Sequence, residues 1–400
     1  MSRYPLLQEL DLKGKRVFIR VDFNVPVQDG AVGDNKRIEA AIPTIQYVRE
    51  QGGRCVLGSH LGRPKGHVRP EYGLEPVGHR LSELLGSDIV LADDCVGDGP
   101  RGLAHRLRPG DVLLLENLRF YKGEEENASE FIVKLAELCD VYVNDAFGTL
   151  HRAHASTAGL ARVVSERGIG LLVQKELEYL QPLRDAPPRP FMIVMGGAKV
   201  SDKIALIERF LDRVDVLVIG GAMAYAFLKA KNIPIGNSLC DDRQTALAGR
   251  ILKSIEARNI RLVLPHDHVV AETIDSEPIV TADAAVPVNT AAFDVGPQTV
   301  AALKDALQGM ETVFWNGPVG VFERPKFSTG TFEFARTIAR SKAQKLAGGG
   351  DVASAIAQSG SEKDFDFIST GGGATLEFLE GKDLPGLRAM RIESREIVES

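Results

Sequence analysis

No stretch of the 400 residues approaches the roughly 20 apolar residues of a membrane span. The opening segment, MSRYPLLQELDLKGKR, also lacks the apolar run of a secretory leader. The four cysteines, Cys55, Cys95, Cys139 and Cys240, form no C-x-x-C pair. They read as reduced, partly buried thiols of a reducing compartment, so a cytoplasmic protein is expected. Positive charge is not in excess either: the net charge of −6 argues against general nucleic-acid binding, although local patches can hide inside it. No short-period repeat or low-complexity tract is present. What remains is the 44% hydrophobic and 26% charged composition of an ordinary globular protein, long enough for two domains of roughly 150–200 residues.

Short apolar runs recur along the chain: RVFIRVDF, RCVLGSH, DIVLADD, DVLLLEN and VYVND, then FMIVMGG, DVLVIGG, RLVLPHD, TVFWNG and FDFIST. Most show no alternation, as expected of strands buried on both faces. Helical patterns lie between them, such as KIALIERFLDR, where Ile204, Ile207, Phe210 and Leu211 form one stripe. The pattern predicts two doubly wound, Rossmann-like parallel α/β domains. The clearest break is LQPLRDAPPRP (180–190), whose prolines at 182, 187, 188 and 190 are expected to stop the helix GLLVQKELEYL. This places a first domain at 1–172, a connecting helix and linker at 173–189, a second domain at 190–380, and a tail at 381–400 returning to the first domain.

Ligands of such folds bind beyond the carboxyl ends of the strands, and the polar and glycine residues sit there. In the first half, Asp22 and Asn24 are two apart on an extended chain, where their side chains could hold a hydroxyl or simply close their own turn. SHLGRPKGHVRP carries His60, Arg63, Lys65, His67 and Arg69 without an acidic residue, a solvated basic loop if nothing binds there. Arg119 follows a strand, and Arg152 stands between His151 and His154, an i, i+3 pair that no nearby carboxylate or cysteine completes as a metal site. Together, these planar cations suit a small acid bearing phosphate. Nucleic acid is the rival, disfavoured by the few aromatics nearby.

The second half repeats the theme with glycine. In VMGGAKVSDKI, Gly196 and Gly197 permit close approach of a ligand to the backbone. Their N–H groups are expected at the amino end of a helix starting near Val200, with Lys199 and Lys203 four apart on one face. FWNGPVGVFE (314–323) is a loop able to wall a nucleotide, AGGGDVASAI puts a carboxylate, Asp351, where magnesium could bind, and STGGGATLEFLEG opens a helix with a glycine run. A nicotinamide-dependent dehydrogenase would instead carry G-x-G-x-x-G and an acidic ribose partner; GGAKVSDK has lysines there.

RVDFNVP, SHLGRP, LENLRF, DAFGTLHRAHAS, GGAKVSDKI, WNGPVGVFE, GGGD and STGGGATLEFLEG, in this order, resemble the phosphoglycerate kinase family over essentially the full length. The resemblance implies reversible phosphoryl transfer from 1,3-bisphosphoglycerate to MgADP by a monomer that closes about a hinge. It implies that Asp22, Asn24, Arg37, His60, Arg63, Arg119 and Arg152 bind 3-phosphoglycerate. Gly197, Ala198, Lys199, Lys203, Gly317, Glu323, Gly350, Asp351 and Val352 would bind nucleotide, Asp351 holding magnesium. Arg37, Lys203, Gly372 and Gly373 would stabilise the transferring group. Three departures stand out: Val352 where the family commonly has a hydroxyl residue, Ala222 where some members have glycine, and a polar tail, LPGLRAMRIESREIVES.

Overall fold

The structure is a computed structural model that describes residues 4–391. It divides into two compact units: the described part of Met1–Glu178 with that of Lys382–Ser400, and Tyr179–Gly381. Each unit is built on a six-stranded, all-parallel sheet. The strands of the first are β1 (Arg16–Arg20), β2 (Arg54–Gly58), β3 (Val90–Leu91), β4 (Val112–Leu114), β5 (Val141–Asn144) and β6 (Glu166–Ile169), in the order β3-β4-β2-β1-β5-β6. Those of the second are β7 (Phe191–Met195), β8 (Val216–Ile219), β9 (Arg261–Val263), β10 (Thr312–Asn316), β11 (Gln344–Gly348) and β12 (Phe367–Ser369), in the order β9-β8-β7-β10-β11-β12.

Each of the ten apolar runs contains one of these strands, and β7 and β10 are buried at all five residues. Helices cover both faces of a parallel sheet, so the central strands need no polar side. Branched side chains dominate one core, including Val17, Ile19, Val21, Ile45, Leu57 and Val143. The other gathers Val194, Val218, Val313, Trp315, Phe334 and Ile356. Trp315, the only tryptophan, is fully buried and donates Nε1–H to the Gly317 carbonyl at 2.8 Å, which ties the β10 exit loop to the core.

Where strand order reverses, two neighbouring strands send their connections to opposite sides and leave a crevice at their carboxyl ends. In the first unit that point lies between β1 and β5, and in the second between β7 and β10. The second unit also carries a small antiparallel sheet of His268–Ala271, Ile279–Val280 and Ala291–Val295.

The expected proline stop does not occur at 182. A helix runs from Leu171 to Asp185 with Pro182 inside it, and the division between units falls within this helix. Pro182 sits in the last turn, where its missing N–H forfeits one bond, and its own carbonyl still accepts from Ala186 N–H at 2.9 Å. The helix ends before Pro187-Pro188, which disfavour a helical residue ahead of them. Of the tail, Pro385–Met390 forms a helix in the first unit, where Gly386 N–H donates to Leu150 O at 2.9 Å; residues 392–400 lie outside the described residues.

Candidate active site

The first unit gathers cations at its switch point. Asp22, just past β1, accepts from Arg37 Nη1 at 2.8 Å; Arg37 stands in the first turn of the helix Lys36–Glu50. The same carboxylate lies 3.9 Å from His60 Nδ1, too long for a hydrogen bond. Asn24 Oδ1 accepts from Gly62 N–H at 2.9 Å, so part of the polar pair expected to grip a hydroxyl already holds the His60 loop. Asn117 pins that loop from the far side, donating Nδ2–H to Leu61 O at 2.7 Å and Tyr72 O at 2.9 Å. Its Oδ1 accepts from Arg119 N–H, which sets the turn that aims Arg119.

Arg119 is buried, donates to Gly62 O at 2.8 Å and pairs with Glu125 Oε1 at 3.2 Å. Burial, then the neighbouring Arg152, brings its pKa down to about 10, so it stays charged at neutral pH. Burial first, then Arg20, Arg119, Arg152 and Arg37, holds His60 well below the usual imidazole range. His154 is pushed down to about 3 by burial and by Arg119, Arg20, Arg152 and His151, in that order. Four guanidinium groups therefore act on one small region, and both of these histidines stay neutral. Arg63 stands exposed in the loop after β2 and makes no ion pair among the described residues.

Sequence reasoning assigned no part to Arg20, Glu124 and Ser156, all buried here. A lone charge inside the apolar run VFIRV is a usable signal for Arg20, because a buried arginine must find partners. Nothing in the string EEE separates Glu124 from its neighbours.

The second unit knits three strand ends together. Gly196 N–H donates to Asn316 O and Gly197 N–H to Pro318 O, both at 2.9 Å, while Gly220 N–H donates to Met195 O at 2.8 Å. The Gly196 and Gly197 N–H groups are thus consumed by the β10 loop and do not form the mouth of a helix, contrary to expectation. The helix that starts at Val200 is only a single 3-10 turn, Val200–Asp202, and the α-helix begins later, at Ile204–Phe210. Lys199 and Lys203 are therefore separated by a tight turn and do not share a helical face. Lys199 is exposed, whereas Lys203 is partly buried and its ammonium donates to Asn316 Oδ1. Desolvation lowers the Lys203 pKa, opposed by the charges of Asp202, Glu380 and Asp351.

Gly317 and Gly349 hold φ of +88° and +106°, and Ala198, Glu323 and Gly350 are exposed. Asp351 is exposed in the first turn of the helix Gly350–Gln358, with no ion-pair partner among the described residues. Val352 is fully buried in the core beside Ile356 and Trp315, so its side chain has no contact to offer a phosphate; only its backbone remains. Gly372 caps the helix Gly373–Leu379, and Gly371 N–H is already taken by Ser369 Oγ at 3.2 Å, which narrows the donors of that glycine run.

The spacing G-x-G-x-x-G does occur once, as GDGPRG at 97–102, where it enters the helix Asp98–Arg106 behind the edge strand β3, away from either switch point. It therefore gives a dinucleotide no crevice. Comparison with known proteins removes the dehydrogenase reading altogether. The family profile of phosphoglycerate kinase matches residues 7–382. A phosphoglycerate kinase of Anaeromyxobacter dehalogenans is 51% identical over 388 residues, covering 96% of this chain and 98% of that one. One from Bdellovibrio bacteriovorus is 46% identical over 391 residues, covering 97% and 98%. The structure of phosphoglycerate kinase from Coxiella burnetii superposes with a TM-score of 0.87 at 41% identity, covering 97% of this chain and 99% of that one. The Pyrococcus horikoshii enzyme gives 0.84 at 32%, covering 96% and 98%. With half of its residues shared along nearly the whole length, the chain belongs to the phosphoglycerate kinase family.

Proposed function

We propose that the chain transfers a phosphoryl group between ATP and 3-phosphoglycerate, with the glycerate bound in the first unit and the nucleotide in the second. The observation that carries this assignment is the Lys203 ammonium, partly desolvated at the β7/β10 switch point and turned onto Asn316. A desolvated cation at that position strengthens its attraction to phosphate.

In the direction of ATP use, a carboxylate oxygen of 3-phosphoglycerate attacks the γ-phosphorus. The bond from that phosphorus to the β–γ bridging oxygen breaks, and ADP leaves with the electron pair. The attacking oxygen is already ionised, so no general base is needed. Catalysis then rests on alignment and on charge stabilisation at the three equatorial oxygens. Arg37 and Lys203 supply that charge, with Gly372 and Gly373 N–H as further donors. Arg63, Arg119 and Arg152 clamp the far phosphate; Asp22, Asn24 and His60 orient the rest of the glycerate. Lys199 steadies the nucleotide phosphates, Gly197, Ala198, Gly317 and Glu323 wall the nucleotide, and Gly350 and Val352 contribute backbone. Because the two substrates start on different units, we infer that closure about the 173–189 segment brings the oxygens into line and excludes water.

Asp351 fits a magnesium ion: a lone exposed carboxylate suits a metal that otherwise keeps water and substrate phosphates as ligands. When bound, the ion would neutralise the charge on the nucleotide phosphates. A monomer acting in the cytoplasm agrees with both ligand sets lying on one chain, and no described helix is long and apolar enough to cross a membrane. The test is a coupled assay with 3-phosphoglycerate and ATP. Turnover is expected with magnesium, with a loss of at least about 100-fold when EDTA removes it. Undiminished turnover in EDTA contradicts the metal role, and no turnover with magnesium contradicts the reaction.

A further inference from the structure

Arg20 is 1% exposed at the end of β1 and, among the described residues, touches no carboxylate directly. Its Nε–H donates to Ser156 Oγ at 2.7 Å, and Ser156 Oγ–H in turn donates to Glu124 Oε1 at 2.6 Å. Ser156 N–H donates to the other oxygen of that carboxylate at 2.9 Å. Glu124 is fully buried, so the anion that balances the buried guanidinium reaches it through one hydroxyl. On its other edge Arg20 places Nη2 3.2 Å from His60 Nδ1. A guanidinium has only donors, so Nδ1 must accept, and the single ring proton must sit on Nε2.

We propose that Glu124, Ser156 and Arg20 form a buried relay that fixes His60 as the neutral Nε2–H tautomer. His60 then enters the 3-phosphoglycerate site as one aimed donor and not as a further cation. Burial and the guanidinium groups of Arg20, Arg119, Arg152 and Arg37 oppose a second proton. The Asp22 carboxylate at 3.9 Å from Nδ1 favours one, but it lies beyond hydrogen-bond reach and is paired with Arg37. Glu124 and Ser156 act as positioning residues, since each works through Arg20. The relay itself is read from the protein's own contacts, while its use in binding rests on the proposed assignment of His60 to the glycerate site.

The first test is the nitrogen-15 spectrum of the histidines in the full-length, unliganded enzyme, with His60 assigned from His60→Gln. The relay requires an unprotonated Nδ1 and a protonated Nε2, unchanged from pH 8 to pH 6. A proton on Nδ1, or an imidazolium at neutral pH, overturns it. In Ser156→Ala that signature is expected to change toward mixed tautomers. KM for 3-phosphoglycerate should rise about tenfold, the loss of one hydrogen bond to a charged group, with a smaller change in kcat. A wild-type His60 spectrum in Ser156→Ala would overturn the relay, and Glu124→Gln gives a second variant in which the same change is required. Should His60→Gln leave KM for 3-phosphoglycerate unchanged while the tautomer is as stated, the binding role of His60 is overturned and the relay stands.

Discussion

Arg37→Ala and Lys203→Ala are each expected to lower turnover by about 10²–10⁵ at saturating substrates, the range found for groups that neutralise charge in a transferring phosphoryl group. The loss should appear mainly in kcat, because the interaction is strongest when charge is spread over the equatorial oxygens. Structure sets the two apart in what else they disturb. Arg37 is a third exposed and its pair with Asp22 is worth no more than about 1 kcal/mol, so the variant should melt close to wild type. Lys203 is more deeply placed, and its removal strips Asn316 Oδ1 of a donor. A loss of about 1 kcal/mol in stability is expected there, small beside the kinetic effect. Either variant turning over near the wild-type rate would remove that residue from the chemistry.

Gly196→Ala is expected to be among the most damaging single substitutions outside the charged residues. A methyl group there would overlap the backbone carbonyl oxygens of both Gly317 and Pro318. Neither is the free end of a side chain. Relief requires the β7 and β10 exits to separate, which breaks the Gly196–Asn316 and Gly197–Pro318 hydrogen bonds. Overpacking of this kind costs about 1–3 kcal/mol, and the lost bonds add to it. Thermal unfolding should shift down by several degrees, and KM for ATP should rise at least tenfold because Lys203 loses its fixed partner. An unchanged melting temperature together with an unchanged KM for ATP would show that the close approach of the loops is unimportant.

Much of the fold was legible because parallel strands covered on both faces leave unbroken apolar runs, and RVFIRV-like or FMIVM-like segments have no other easy home. The elements that escaped notice lack that signature. β11 offers only Leu346 and Ala347 between Lys345 and Gly348. β6, ERGI, lies at a sheet edge and is half polar. The antiparallel sheet has exposed strand residues such as Ile279 and Val280, broken by proline and aspartate. Pro182 misled because a proline near a helix end forfeits only one bond, which sequence alone does not locate. At the site, the charged side chains could be named, but not their partners. The i, i+4 spacing of Lys199 and Lys203 suggested a helix where the chain takes a tight turn, and Val352 turned inward to the core. Arg20 lies more than a hundred residues before Glu124 and Ser156, themselves 32 residues apart, and the three meet only through tertiary packing.

Calorimetric titration of two variants with both substrates tests the division of labour most directly. Arg152→Ala should bind 3-phosphoglycerate at least about tenfold more weakly than wild type while its affinity for MgADP stays within about twofold, and Lys199→Ala should show the reverse. If either substitution weakens both ligands equally, the assignment of one anion to each unit is wrong.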